Sequence, residues 1–194
     1  PEIRTTYPGA KVAAIIRDPR HWVKSRLNYQ GHHDARDMVR LAGQSRLTPA
    51  MIGDHAWADQ WPEMSVFQKL CWDWKTIYGL IDDFARQDDR TAVFRFEDLF
   101  APERSDVRRA FLDFVTTHGD RQYAYSDSDA PFGQRINASS GETPDWTDWS
   151  PADARFLEEM CGELMARYGY GREPAWRAKV DGAEGDRNRV VSRR

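Results

Sequence analysis

The chain is short of cysteine, of long hydrophobic runs and of net charge, and each shortage excludes a class of protein. Its 194 residues include two cysteines, Cys71 and Cys161, which form no C-x-x-C pair, so neither a disulfide scaffold nor a cysteine zinc site is predicted. The longest apolar run, Val12 to Ile16, is too short to cross a bilayer, and no charged-then-apolar leader opens the chain. We therefore expect a cytoplasmic protein that has no membrane partner.

The charges nearly cancel. The 28 Lys and Arg residues face 31 Asp and Glu residues, for a formal net charge of -3 at pH 7. This balance argues against a polycationic nucleic-acid coat, and we expect no nucleic-acid partner. The length and the 40% of hydrophobic residues fit one domain. We expect that domain over residues 1–178, followed by a disordered basic tail over residues 179–194.

Short apolar segments that alternate with helical patterns indicate the fold class. The run from Lys11 to Arg17 is typical of a central parallel strand covered on both faces, and Thr91 to Phe96 predicts a second strand. The predicted helices run from Asp18-Pro19 to about Leu27, over 65–85, over 105–118 and from Ser150-Pro151 to Gly169, with a possible short helix from Ala35 to Leu47. The order predicts an α/β fold with a parallel sheet.

In parallel sheets, ligands bind beyond the carboxyl ends of the strands. This rule brings Arg17, Asp18 and Glu97 to the expected ligand edge. An arginine fork suits a phosphate dianion, a helix N-terminus adds N–H donors, and Ser25 adds a hydroxyl two turns into the helix. The alternative is structural: Arg17 pairs with an acid such as Glu97, and Asp18 caps the helix. Strand-Arg-Asp-Pro-helix is also ordinary βα-turn chemistry, so the residue chemistry leaves both interpretations open.

Three segments carry a family resemblance: IIRDPRHWVKSRL, FRFEDLF, and FGQRINASSGETPDWTDWSPAD followed by FLEEMCGELMARYGYG. The first resembles the 3'-phosphate-binding segment of sulfotransferases that use 3'-phosphoadenosine 5'-phosphosulfate (PAPS), in which an R-[DN]-P turn precedes a serine at this spacing. The second resembles their strand-to-helix F-R-[FY]-E-D-L segment. The third resembles the cofactor-covering loop and final helix of bacterial members. The resemblance covers most of residues 11–171.

The resemblance implies a three-layer, doubly wound parallel sheet of the P-loop-NTPase type, incomplete at its N-terminus. It implies sulfuryl transfer from PAPS to an acceptor hydroxyl or amine, which yields adenosine 3',5'-bisphosphate (PAP) and requires no metal. Arg17 and Ser25 would hold the 3'-phosphate. The loop that covers the same end of the cofactor would use Arg135, Ser139, Ser140 and Gly141. For Arg135, a solvated loop arginine is an equally open interpretation.

Other candidates receive more ordinary roles. Glu97 and Asp98 are expected to serve architecture, by capping the next turn or orienting an arginine, and Trp146 and Trp149 to pack the final helix onto the body. His32-His33-Asp34 is expected to be a solvated loop, so we predict no metal site. The acceptor, a small molecule or a glycan, is expected to meet a wall from Gln30 to Glu63 that holds His55, Trp57 and Trp61.

The chain departs from the family pattern at its start. No lysine-containing loop resembling P-K-x-G-T-T, which grips the 5'-phosphosulfate in the family, precedes Arg17, and no G-x-x-x-x-G-K-[ST] motif occurs. All five histidines follow Arg17, so none inherits the role of base. We therefore expect the catalytic residues upstream of Pro1. Two other hypotheses stay open: a P-loop-type phosphotransferase, and a non-catalytic remnant or interaction module of the same fold.

Overall fold

A computed structural model describes residues 5–31, 47–118, 121–124 and 143–182 of the chain. The chain forms two compact units. We call residues 1–18 with 77–138 the sheet unit and residues 19–76 with 139–194 the helical unit. The described residues form a mixed α/β structure that is mostly helical, which confirms the predicted α/β class. Within the described ranges, no helix is both long enough and apolar enough to cross a membrane.

The sheet unit is built on two parallel strands. Strand β1 (Val12–Ile16) pairs with β2 (Thr91–Arg95) in a register that runs from Val12 opposite Thr91 to Ile16 opposite Arg95. Both strands lie where the sequence predicts them. The prediction that β1 is covered on both faces is wrong for the described residues: Ile16 is buried, whereas Ile15 is 40% exposed. An unbroken apolar run cannot predict which strand residues are exposed, because apolar and polar residues do not alternate in it.

Two helices and a small antiparallel pair complete the described part of the sheet unit: α4 (Phe96–Phe100), α5 (Ser105–Thr116), β3 (Thr117–His118) and β4 (Arg121–Gln122). Phe94 of β2 packs edge-on against Phe111 and Phe114 of α5, at ring distances of 5.2 and 6.1 Å. Helix α5 ends at Thr116 and not at residue 118, where the prediction ends it, because Thr117 is extended and begins β3. Gly119 follows the predicted helix and is expected to stop it, but it lies outside the described residues.

The helical unit contains the larger buried core. Its elements are α1 (Pro19–Gly31), a 3₁₀ turn (Pro49–Ile52), α2 (His55–Ala58), a second 3₁₀ turn (Trp146–Asp148), α6 (Pro151–Arg167) and α7 (Pro174–Asp181). Helix α3 (Val66–Gln87) contributes residues to both units. All eight tryptophans of the chain lie in the helical unit, and Trp72, Trp74 and Trp176 are fully buried. Large aromatic side chains therefore supply much of this core.

Local signals set the ends of the helices in this unit. Helix α6 begins as predicted because the Ser150 hydroxyl accepts a hydrogen bond from the Asp153 backbone N–H at 3.1 Å. It ends at Arg167, two residues before the predicted stop Gly169, whose φ of 78° is the left-handed conformation that glycine adopts readily. Helix α7 includes residues 179–181, which the sequence assigns to a disordered tail, and residues 183–194 lie outside the described residues.

Apolar residues recur at spacings of three and four along 65–85, which predicts one inward stripe on α3 that includes Leu70, Trp74 and Ile77. The structure departs from this prediction. Leu70 and Trp74 of that stripe are fully buried, but so are Cys71 and Trp72, which lie on other faces of the helix. Ile77, also predicted to face inward, is 41% exposed. The prediction of a single stripe fails because the helix is buried on all sides at residues 70–74. A helix segment that is buried all round needs no polar face.

Candidate functional site

The carboxyl ends of β1 and β2 meet at one edge of the sheet unit. Because Ile16 lies opposite Arg95, the next residues, Arg17 and Phe96, leave the two strands at the same level. The guanidinium carbon of Arg17 lies 4.7 Å from the centre of the Phe96 ring, a cation–π contact. The half-buried arginine is therefore held at the edge where parallel sheets bind ligands.

The turn after Arg17 is tied to the turn after β2. The buried Asp18 donates its backbone N–H to Glu97 Oε1 at 3.0 Å. The structure thus brings Asp18 and Glu97 together at the sheet edge and gives Glu97 the architectural role expected of it. Asp98 has a similar role, because it accepts a hydrogen bond from Arg104 at 3.2 Å.

The remaining residues implied by the resemblance fall elsewhere. Ser25 is half-buried on α1, in the helical unit, whereas Arg17 belongs to the sheet unit. The cofactor-loop residues lie outside the described residues: Arg135, Ser139, Ser140 and Gly141. The same holds for His32, His33 and most of the short helix predicted from Ala35 to Leu47.

Helix α1 carries a buried arginine that the sequence analysis did not single out. Arg20 is 2% exposed, and its two terminal nitrogens donate to the Glu173 carboxylate at 3.0 and 2.8 Å. Its guanidinium carbon lies 4.8 Å from the Trp146 ring centre and 5.1 Å from that of Trp176. No sequence signal could reveal this pair, because 153 residues separate its members.

Arg20 belongs to a row of three polar side chains on α1, which we call the α1 clamp: Arg20, Lys24 and Asn28. Lys24 Nζ donates to Asp145 Oδ2 at 2.8 Å, and Asn28 Oδ1 accepts from the Thr143 backbone N–H at 3.0 Å. Residues four apart lie on the same face of a helix. One face of α1 thus holds two segments that are distant in sequence.

The clamp also perturbs its two carboxylates. The hydrogen bond from Arg20 lowers the pKa of Glu173, and the hydrogen bond from Lys24 lowers the pKa of Asp145. In each case burial acts in the opposite direction but does not reverse the shift. Both groups are thus stabilised in their charged form.

The residues predicted to line an acceptor wall pack into the helical unit. Trp57 contacts Phe156 edge-on at 6.1 Å, and Trp61 contacts Trp72 at 5.1 Å. His55, by contrast, is exposed. The tryptophans predicted to pack the final helix also have core partners: Trp149 lies 5.0 Å from Phe67, and Trp146 lies 5.7 Å from Trp176.

The two cysteines are neighbours in the core of the helical unit. Cys161 Sγ donates to the Cys71 carbonyl at 3.4 Å, and both are free thiols. Burial raises the pKa of the Cys71 thiol well above its usual range, which disfavours the nucleophilic thiolate. The described residues also contain no group of three or more His, Cys, Asp or Glu side chains that could hold a metal ion.

Among these arrangements, the carboxyl edge of β1 and β2 is the best candidate site. The Arg17 guanidinium is held there by Phe96, next to the turn that precedes α1. No protein-family model, curated protein or solved structure matches the chain. A function is therefore inferred from the residues and contacts of the chain itself.

Proposed function

We propose that this chain carries the 3'-phosphate-binding part of a PAPS-dependent sulfotransferase with a three-layer, P-loop-NTPase-type sheet. One observation carries the proposal: Arg17 is held against Phe96 at the carboxyl end of a parallel strand, directly before the turn into α1. A guanidinium at this edge offers several N–H donors in one plane to a phosphate dianion.

The turn itself refines which groups would bind the phosphate. The Asp18 N–H is already donated to Glu97, so it is not a free donor for a ligand. The phosphate would depend on Arg17. Glu97 would act by holding the turn and not by contacting the nucleotide.

In the proposed reaction, PAPS supplies the sulfuryl group that passes in line to an acceptor hydroxyl or amine on a small molecule or a glycan. Arg17 would bind the 3'-phosphate and so fix the position of the nucleotide. Such positioning lowers the barrier because the entropy of orientation is lost on binding and not in the transition state. Charge that develops on the leaving oxygen would be stabilised by cationic groups, as in phosphoryl transfer.

Calorimetric titration with three nucleotides tests the proposal. PAP carries the 3'-phosphate, whereas adenosine 5'-monophosphate and ADP lack it. We expect PAP to bind at least about tenfold more tightly than either, because a charge-assisted hydrogen bond contributes about 1.5–3 kcal/mol. Equal affinity for all three would contradict the 3'-phosphate assignment. Preference for ADP would favour a phosphotransferase, and no nucleotide binding would favour an interaction module.

A substitution locates the effect. Arg17→Ala should weaken PAP binding by about 2 kcal/mol, which is about thirtyfold, and leave adenosine 5'-monophosphate binding unchanged. The matched control is Arg26→Ala, which removes the same charge from an exposed arginine on α1. If Arg17→Ala and Arg26→Ala bind PAP alike, Arg17 is not the phosphate ligand.

A further inference from the structure

A second ligand-sized feature lies at the other end of β1. A pocket of about 180 Å³ opens in the sheet unit between Lys11 and Ala13 on one side and residues 114–117 on the other, with Tyr123 also in its lining. We call it the Lys11 pocket. Lys11 precedes β1 and Arg17 follows it, so an extended rise of about 3.3 Å per residue separates the two by roughly 20 Å. The pocket is therefore separate from the proposed nucleotide site.

The Lys11 ammonium is fixed in this pocket. Its Nζ donates to the Phe114 carbonyl at 3.3 Å and lies 5.0 Å from the centre of the Phe114 ring. The carbonyl belongs to the last turn of α5, where the helix dipole favours a cation. Among the residues that the structure describes, no carboxylate lies within ion-pair distance of this ammonium. Within the described part of the chain, this exposed ammonium is therefore held by neutral partners.

The two threonine hydroxyls of the pocket are acceptors. The Thr116 hydroxyl donates to the Leu112 carbonyl at 2.7 Å, and the Thr117 hydroxyl donates to the Asp113 carbonyl at 2.6 Å. A hydroxyl that has given its proton to the backbone can only accept further hydrogen bonds. Lys11 therefore supplies the cationic donor of the pocket, and a compact singly charged anion suits it better than a phosphate dianion.

Four of the seven lining residues have apolar or aromatic side chains, and the space is small. Phe114 is half-buried, while Val115 is 46% exposed and Tyr123 is 59% exposed. Sites for drug-sized molecules occupy about 300–1,000 Å³, so a smaller pocket fits a single ring and not a nucleotide. Aromatic walls favour an aromatic ring, through edge-on or offset contacts.

We propose that the Lys11 pocket binds a small aromatic carboxylate, with the carboxylate on Lys11 Nζ and the ring against Phe114, Val115 and Tyr123. The charge of the ammonium selects the carboxylate, and the walls select the ring. This site does not depend on the sulfotransferase proposal and uses none of its residues.

Three probes with one ring and different charges test the proposal on the unaltered chain. Benzoate, benzamide and benzylamine are titrated into the ¹⁵N-labelled 194-residue protein, and the backbone amide shifts are followed by NMR. Benzoate should give saturable shifts at residues 115–117 and 123, with a dissociation constant on the order of 1 mM. Benzamide should bind about threefold more weakly, and benzylamine more weakly still. Unsaturable shifts, shifts centred elsewhere, or equal binding of benzoate and benzamide would overturn the proposal.

Substitution of the lysine isolates the charge. Lys11→Met keeps the alkyl chain and should weaken benzoate binding about three- to fivefold, the range of an exposed ion pair, whereas Lys11→Arg should retain it. Lys69→Met is the matched control, because Lys69 Nζ also lies over an aromatic ring, at 5.5 Å from the centre of Trp61, but lies in the helical unit. Unchanged binding by Lys11→Met, or an equal loss in Lys69→Met, would contradict the proposal.

Discussion

Arg20 keeps a full positive charge inside the helical unit, where water reaches almost none of its side chain. Two hydrogen bonds to Glu173 and two tryptophan rings replace the lost hydration. Such a charge is tolerated only while its partners stay in place. The residue therefore connects the first turn of α1 to the first turn of α7 and to the second 3₁₀ turn.

Removing this side chain should be costly. Arg20→Ala deletes the two charge-assisted hydrogen bonds, both cation–π contacts and buried packing, so we expect a loss of about 3 kcal/mol in the free energy of unfolding. Urea denaturation measures it. Arg86→Ala is the control, because Arg86 is exposed and its ion pairs with Asp82 and Asp83 lie on the same helix. A loss for Arg20→Ala no larger than for Arg86→Ala would show that the Arg20–Glu173 pair adds nothing to stability.

At the scale of elements, the α1 clamp fixes the chain segment that leads into α6. Asn28 is buried, and its side-chain oxygen accepts the Thr143 N–H. Lys24 holds Asp145 two residues further along. Residues 143–145 belong to no strand or helix. Side chains from one face of α1 therefore fix the path of this segment.

Hydrogen exchange tests this clamp at a single amide. In Asn28→Ala the Thr143 N–H loses its acceptor, so its exchange should accelerate about tenfold, the equivalent of a hydrogen bond that contributes about 1.4 kcal/mol. Ser25→Ala, on the same helix, should leave exchange at Thr143 unchanged. If both variants exchange alike at this amide, the side chain of Asn28 does not protect it.

Sequence predicted the elements whose signals are local. The apolar strands, the Ser150-Pro151 start of α6 and its glycine stop all depend on neighbouring residues, and the structure confirms them. The parallel-sheet rule also anticipated that Asp18 and Glu97 would share an edge. The exposure of Ile15 and Ile77 was not predictable, because burial depends on which elements pack nearby. The Arg20–Glu173 pair was missed because tertiary folding alone brings its members together.

At the scale of the whole molecule, the two clamp carboxylates make stability depend on pH. The pKa values of Glu173 and Asp145 are lowered in the folded chain from ordinary values of 4.5 and 3.8. The unfolded chain therefore binds protons more readily in this range, and acid favours unfolding. Their contribution is fully present above those ordinary values and is lost as pH falls through the lower, folded values.

Urea titrations at pH 7, 5 and 3, followed by circular dichroism, measure this dependence. We expect the free energy of unfolding to change little between pH 7 and 5 and to fall below pH 4.5, the ordinary value for Glu173. The variant Glu173→Gln with Asp145→Asn should be less stable at pH 7 and should lose less on acidification. An equal acid-induced loss in the variant and the unaltered chain would assign the effect to other carboxylates.

The concentration of all eight tryptophans in the helical unit has an optical consequence. Light at the red edge of the aromatic absorption band excites indole rings and leaves tyrosine and phenylalanine in the ground state. Emission from this chain therefore comes from one unit, while far-ultraviolet dichroism sums the backbone of both. In a thermal melt, tryptophan emission therefore follows unfolding of the helical unit, whereas dichroism follows unfolding of the whole chain. The difference between the two midpoint temperatures measures how independently the helical unit unfolds.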